Sequence, residues 1–255
     1  MNILITAGGT SEKIDDVRRI TNSGTGRLGA KIAEAFAASG RECSITYLCS
    51  ENAVRPEIRQ GDGSRDSGDG SCCLASETEE PSPCPVNRPL VLICSDVDSV
   101  RDAVLEACDE TAFDVIVHSM AIGDYRVKTV LDSLHTQREI RESKISSEKE
   151  ELVVVLEKAP KIIALLRGLA PDAVIVGFKL LSEAGEEELV QAGHALLMKN
   201  DCDFVLANDI RTVRQNRHEG ILITKDGTFE HAAGKEEIAA LIVERVLERL
   251  SESGR

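Results

Sequence analysis

The sequence predicts an α/β fold of three layers, a mostly parallel sheet with helices on both faces. Two observations predict it. Short apolar runs alternate with amphipathic helical stretches along the 255 residues, the pattern of parallel strands buried on both sides. Polar signatures stand directly after those runs, at 7–10, 119–125, 178–179 and 208–209, where folds of this class bind ligands, beyond the carboxyl ends of the strands.

The elements follow in order. Residues 2–6 (NILIT) form a first strand that ends at a Gly-Gly turn. Residues 27–39 form a helix: Leu28, Ile32, Ala35 and Phe36 share a face, and Gly40 stops it. Strands are expected at 43–48 and 90–94, with a helix at 97–108 capped by Asp96 or Asp98. Residues 114–118 (DVIVH) and 173–178 read as buried strands, and a helix lies near 183–198. A strand at 203–206, a hairpin at 221–229 and a helix over 235–250 close the chain; the last spaces Ile238, Leu241, Ile242, Val246 and Leu250 on one side.

Two stretches break this alternation. Residues 59–89 hold four Gly, five Ser and four Pro with six acids, and read as a disordered surface insertion. It carries the vicinal pair Cys72 and Cys73. Residues 126–151 are polar and read as a mobile loop, followed by the strand-like run ELVVVLEK at 151–158. That run either builds a small extra sheet or completes the main one. The whole chain is expected to be one domain.

Composition excludes several function classes. Thirty Lys and Arg against 44 Asp and Glu give a net charge of −14, which is not the basic footprint of a nucleic-acid binder. Aromatic residues are 3% with no Trp, so base-stacking platforms are not expected. No apolar run reaches the length of a membrane span, and the start of the chain shows no signal-peptide pattern. The eight cysteines, at 43, 49, 72, 73, 84, 94, 108 and 202, include no C-x-x-C; they read as reduced thiols of a cytoplasmic protein. No G-x-S-x-G elbow, Walker A motif or H-E-x-x-H is present, so no covalent nucleophile is signalled.

Gly24, Gly26 and Gly29 match G-x-G-x-x-G literally. A dinucleotide fingerprint turns straight from strand into helix, whereas here the first strand ends near Thr6. An NAD(P)-dependent oxidoreductase is therefore the weaker alternative. What survives is a Ser-Gly-Thr-Gly run before a helix. It either presents backbone N–H groups to an anion or forms a plain turn capped by Ser23 or Thr25. Cations stand at several strand ends: Arg18 and Arg19, Lys144, Lys158 and Lys161 around Pro160, Lys179 and Lys199. In an acidic chain these favour a phosphate-bearing ligand. Asp124 and Asp209 follow strands, as turn formers or as ligands of Mg²⁺ or a ribose.

Seven segments, taken together, resemble one family. They are ITAGGT at 5–10, VRRITNSGTGRLG at 17–29, SMAIGDYRV at 119–127, KISS at 144–147, KAPKII at 158–163, GFKLL at 177–181 and KNDCDFVLAND at 199–209. The chain resembles the phosphopantothenate–cysteine ligases, especially the monofunctional bacterial type, over nearly its whole length outside 59–89. The resemblance implies a Rossmann-like fold with a small additional dimerisation sheet, for which 151–158 and the KISS segment are the candidates. It implies an amide ligase of coenzyme A biosynthesis that joins phosphopantothenate to L-cysteine through an acyl-cytidylate. The co-substrate implied is ATP or CTP, with CTP the nucleotide of the bacterial family; Mg²⁺ is expected and flavin is not. A cytoplasmic homodimer is implied, acting on small molecules only.

By the same resemblance Asn22 and Lys144 are the catalytic residues, and Arg18, Asn22 and Ala121 hold the acid substrate. Gly8, Gly9, Met120, Asp124, Lys144, Pro160, Lys161, Ile162, Ile163, Phe178 and Lys199 line the nucleotide site. The sequence departs from the family in two places. Ala195 stands where a second lysine is expected, and Met120 where the family has alanine. Lys179 or His194 is expected to replace part of the missing charge. An inactive sensor that binds phosphopantothenate or a nucleotide is the second alternative.

Overall fold

The structure, a computed structural model, describes residues 1–58, 89–214, 217–252 and 254. The expected insertion at 59–89, with Cys72 and Cys73, lies outside the described residues except for Pro89. The chain opens with β1 (Asn2–Ala7), a short hairpin of β2 (Ser11–Lys13) and β3 (Arg19–Thr21), α1 (Arg27–Ala38) and β4 (Ser44–Ser50). It continues with β5 (Leu90–Cys94), α2 (Val97–Glu110), β6 (Val115–His118), β7 (Tyr125–Leu131) and β8 (Val153–Lys158). Then come α3 (Ile163–Leu169), β9 (Val174–Leu181), α4 (Glu186–Asn200), β10 (Phe204–Asp209) and α5 (Ile210–Arg214). The antiparallel pair β11 (Glu219–Thr224) and β12 (Phe229–Ala233) leads into α6 (Lys235–Glu252).

Eight strands make one sheet in the order β12-β11-β10-β9-β6-β1-β4-β5. The strands from β5 to β10 are parallel, and β11 and β12 extend that edge antiparallel. Alternate residues of each buried strand point to opposite faces, so each strand feeds two cores. Ile3, Ile5, Val115 and Val176 pack with Phe36 of α1 and with Ile238, Ile242 and Val246 of α6. Leu4, Ile116 and Ile175 pack with Val100 and Val104 of α2, Leu166 of α3 and Leu197 of α4. This is the expected three-layer fold. Complete burial of a side chain such as Phe36 contributes about 1.5–3 kcal/mol.

The strand order reverses at β1. Its neighbour β4 is reached through α1 on one face, while β6 on its other side leads on to β7, β8 and α3. The loops after β1 and β6 therefore part, and the crevice between them is the topological switch point where such sheets bind ligands.

Four local expectations change. β7 occupies the first part of the segment expected to be a loop; its alternation YRVKTVL is a strand pattern. The partner of β8 is this strand, in antiparallel pairing, and not the KISS segment, so the small sheet is β7–β8 and stands apart from the main one. The N-cap of α1 is Gly26 at φ 73°, with no side-chain hydrogen bond, rather than Ser23 or Thr25. α4 starts three residues later than expected, with Gly185 at its N-cap. Of the two capping choices for α2, Asp96 is used, and it accepts from Ser99 N at 2.8 Å.

Candidate active site

The crevice is built from backbone in van der Waals contact. After β1 the chain turns at Gly8, whose φ of 94° favours glycine. A side chain on Gly9 would put its Cβ 2.2 Å from the Asn22 carbonyl oxygen, and one on Gly24 would lie 2.3 Å from the Gly8 carbonyl oxygen. The loops 8–10 and 22–26 can meet only because these positions are glycines. Ala121 N donates to Gly8 O at 2.8 Å, Thr10 N to Ala121 O at 3.1 Å and Asn22 N to Thr10 O at 2.9 Å. Three loops are thereby laced together. Gly8 and Gly9 are buried and act as this junction; Gly9 N is already given to Ser50 Oγ at 3.2 Å.

Asn22 sits on that lacing. Its Nδ2 donates to Ala121 O at 3.1 Å. A carbonyl only accepts, so the amide is oriented, and Oδ1 with the second N–H is left for a ligand. The family resemblance grouped Asn22 with Ala121, and the structure joins the two through this hydrogen bond.

Arg18 and Lys144 meet through a residue the sequence reading missed. The Asp15 side chain has no exposed surface. It accepts from Val17 N at 2.8 Å, Arg18 N at 2.6 Å, the Arg18 guanidinium at 2.9 Å and Ile145 N at 3.2 Å. Burial alone would push this carboxyl up. The N–H groups of Arg18, Val17 and Ile145, with the Arg18 charge, outweigh it and hold the group below the ordinary carboxylate range. Arg18 also donates to Ile145 O at 3.3 Å, and Asp16 N donates to Ser143 O at 2.9 Å. The residues on each side of Lys144 are thus pinned to the turn that carries Arg18, while Lys144 itself is exposed. The signal for Asp15 was a turn-forming acid three residues before Arg18.

On the other side of the crevice, Asp124 forms an ion pair with Lys161, and Ala159 N donates to Asp124 O at 2.9 Å. The turn of Pro160, Lys161, Ile162 and Ile163 is therefore fixed beside the loop after β6. Ile162 is buried in the core and Ile163 packs against it, which leaves Pro160 and Lys161 toward the surface. The Met120 side chain is 6% exposed and lies in the core beneath α2 and α3. Its extra bulk over alanine is absorbed there and does not enter the crevice. Phe178 is half-buried on the α1 and α6 face, and Lys179 is half-buried on the opposite one. Lys199 stands in the last turn of α4, two residues before Asp201, whose carbonyl oxygen accepts from Arg167 at 3.0 Å. That is the end of α4 nearest the amino ends of β9 and β10, so one chain does not bring Lys199 to the crevice. Ala195 is exposed and His194 half-buried, both in α4.

Comparison with known proteins gives this geometry its context. Residues 1–58 and 81–250 match the family described as the DNA/pantothenate metabolism flavoprotein C-terminal domain. The chain belongs to this family. A solved DNA/pantothenate metabolism flavoprotein from Streptococcus pneumoniae is 30% identical, superposes with a TM-score of 0.76, and is covered to 99% by 98% of this chain. The coenzyme A biosynthesis bifunctional protein CoaBC of Methanocaldococcus jannaschii is 30% identical over 96% of this chain and 50% of its own length. That of Thermococcus kodakarensis is 28% identical over 88% of this chain and 45% of its own length. The chain thus spans about half the length of these two relatives. A mutant of Cab2 in complex with phosphopantothenate-cysteine, 21% identical with a TM-score of 0.68 and covered to 89% by the whole chain, shares the fold.

Within this family fold, two more polar residues support the crevice. Met120 N donates to Thr6 Oγ1 at 3.3 Å, and Thr6 Oγ1 lies 3.0 Å from Nδ1 of buried His118. Burial lowers the His118 pKa to about 4, so the ring is a neutral brace. Among the described residues no group of three His, Cys, Asp or Glu side chains could hold a metal ion. No helix among the described residues is long and apolar enough to cross a membrane.

Proposed function

We propose that the protein is a nucleotide-dependent amide ligase that joins phosphopantothenate to L-cysteine, with CTP as co-substrate, in coenzyme A biosynthesis. The observation that carries this reading is the laced crevice. It places Asn22 at the switch point, with Arg18 and Lys144 held together on one side and Lys161 on the other. Membership of the family, and the ligand held by the Cab2 relative, support the same substrate class.

The chemistry explains these residue types. A carboxylate cannot acylate an amine until its oxygen becomes part of a good leaving group. An oxygen of the phosphopantothenate carboxylate attacks the α-phosphorus of CTP, the bond to the β-phosphate oxygen breaks, and pyrophosphate leaves with the electron pair. The cysteine amine, in its neutral form, then attacks the acyl carbon. The bond to the CMP oxygen breaks, and the nitrogen releases its proton. Both steps crowd negative charge, so fixed cations and oriented donors do most of the work. In this assignment Asn22 orients the reacting carboxyl and Arg18 holds the acid. Lys144 meets the nucleotide phosphates, and Asp124 with the 160–163 turn bounds the nucleotide. Lys199 is assigned to the nucleotide only as a residue supplied from elsewhere in an assembly.

A homodimer in the cytoplasm completes the proposal. The two-stranded β7–β8 sheet exposes Tyr125 at 60% and Leu156 at 43%, and an isolated pair of strands is marginal in water. Light scattering is expected to give twice the monomer mass. No flavin absorbance is expected in the purified protein.

The direct test is product analysis by mass spectrometry after incubation with phosphopantothenate, L-cysteine, Mg²⁺ and either CTP or ATP. Phosphopantothenoylcysteine formed with CTP supports the proposal, and formation with ATP alone changes the nucleotide. Binding without product favours the sensor. NADH binding detected by fluorescence would favour the oxidoreductase, although the β2–β3 hairpin separates β1 from the glycines and Gly24 is explained by its contact with Gly8.

A further inference from the structure

Among the described residues Tyr47 of β4 is the largest fully buried side chain. It belongs to the core cluster of Phe36 and Ala30 of α1. It pairs with Ile5 of β1, three residues before β4 ends at Ser50. The length of the side chain carries its hydroxyl from this core up to the loops beyond the strand ends. There two carbonyl oxygens accept from it, Val54 O at 2.9 Å and Gly26 O at 3.3 Å. A buried phenol needs such partners, and with one proton to give it stands between the two. Burial pushes this phenol above its ordinary range, so it keeps the proton and stays a donor.

The two carbonyls belong to different loops. Val54 follows β4, and Gly26 ends the 22–26 loop as the N-cap of α1. Val54 N donates to Thr25 O at 3.0 Å, and a Cβ on Gly26 would lie 2.9 Å from Ala53 Cβ. The loops are therefore in contact, with the hydroxyl beneath both. Gly29 leaves it room in the first turn of α1: a Cβ there would stand 3.6 Å from Tyr47 Oη and 2.7 Å from Ala7 Cβ. Farther on, Glu57 N donates to Glu34 Oε1 at 3.0 Å, so the segment after β4 is tied to α1 a second time. Gly24 and Gly26 have no side chains with which to anchor the 22–26 loop. Its depth is set by backbone contacts and by what stands underneath.

We propose that Tyr47 is a positioning residue for the carboxylate-activating step: its hydroxyl, fixed in the core, sets the depth of the 22–26 loop and so the place of Asn22 in the crevice. The link is short. Gly24 lies against Gly8 O, and Asn22 Nδ2 donates to Ala121 O at 3.1 Å, so a shift of the loop at Gly26 is passed to Asn22. Tyr47 itself touches no reacting atom. The reaction it serves rests on the ligase reading; its hold on the loop does not.

Tyr47→Phe removes the hydroxyl and keeps the ring, so the core stays filled. Two measurements on the full chain test the proposal. One is single-turnover pyrophosphate release with saturating phosphopantothenate and Mg²⁺-CTP; the other is amide hydrogen exchange followed by NMR. The rate constant of release is expected to fall about 10-fold, as for a small misplacement of a reacting group. Its amplitude and the CTP dissociation constant should stay unchanged, because Asp124 and the 160–163 turn lie across the crevice. The Asn22 and Val54 amides are expected to exchange about 10-fold faster, the scale of one lost hydrogen bond, while the Ile5 amide of β1 keeps its wild-type rate. An unchanged rate constant, or unchanged exchange at Asn22 and Val54, overturns the proposal. So does a loss confined to the amplitude, or an equal acceleration at Ile5, since each is what a smaller folded fraction gives. If the wild type releases no pyrophosphate while the two amides still exchange faster in Tyr47→Phe, the ligase reading is wrong and the hold on the loop stands. If both proteins release pyrophosphate at one rate, the ligase reading stands and the positioning role is wrong.

Discussion

The two sides of the crevice are held by different means. On the Asn22 side, position is set by backbone against backbone: Gly9 and Gly24 each leave no room for a methyl group. On the Lys144 side, position is set by one carboxylate, Asp15, that gathers N–H groups from two loops. The first arrangement is stiff, since no rotamer change relieves a clash with a carbonyl oxygen. The second is a latch that can open at the cost of a few hydrogen bonds. The ligase reading proposed above calls for both kinds of support, a fixed seat for the reacting carboxyl and a releasable arm for the charge.

The largest effect should come from breaking the stiff side. Gly9→Ala is expected to lower pyrophosphate release by at least about 100-fold, the scale of an ångström of misplacement in an active site. The helical circular dichroism should survive. Full activity in this variant would show that the 8–10 and 22–26 loops have slack.

The latch should respond more mildly. Asp15→Asn is expected to lose about 10-fold in kcat/KM, carried mostly by KM for the nucleotide. Trypsin should cut faster after Arg138, Arg141 and Lys144 than in the wild type. An unchanged digestion pattern would detach Lys144 from Asp15.

These two regions also differ in how much of them the sequence disclosed. The strands and helices around both cores were legible, because Ile3, Ile5, Phe36, Ile238 and Val246 are aliphatic or aromatic at the correct periods. Asn22, Arg18, Lys144 and Asp124 were legible through resemblance. The lacing was not, since whether a glycine serves a turn or a close approach depends on what packs against it from another loop. Asp15 read as an ordinary turn residue, because its partner Ile145 is 130 positions away. β7 was hidden by its charges: Arg126 and Lys128 alternate with valines, and Arg126 satisfies its charge on Asp98 at 2.7 Å and Glu157 at 2.8 Å. The fate of Met120 could not be read either, because its size gave no hint that the side chain turns into the core.

A smaller effect concerns pH. His118 and His218 are both held neutral, with pKa values lowered to about 4 by burial against an ordinary value of about 6.5. Between those values the unfolded chain binds more protons than the native one. The stability they contribute is therefore complete above about pH 6.5 and is lost as pH falls toward 4. Urea unfolding of His118→Gln at several pH values should show a slope with pH that is smaller by up to about 1.4 kcal/mol per unit. An unaltered slope would mean that His118 is charged in the native protein.

The smallest effect is the control. Gly168 lies in α3 with open space where a Cβ would stand, so Gly168→Ala should stabilise the fold by up to about 1 kcal/mol and leave activity alone. It sharpens the contrast with Gly9, where the same substitution meets a carbonyl oxygen.

The central claim is that the crevice activates a carboxylate by nucleotidyl transfer before any amine arrives. Rapid-quench measurement of pyrophosphate from enzyme, phosphopantothenate and Mg²⁺-CTP without cysteine tests it most directly. The account predicts a burst of about one pyrophosphate per site that becomes continuous turnover when cysteine is added. Absence of any burst, with pyrophosphate appearing only together with cysteine or not at all, would contradict it.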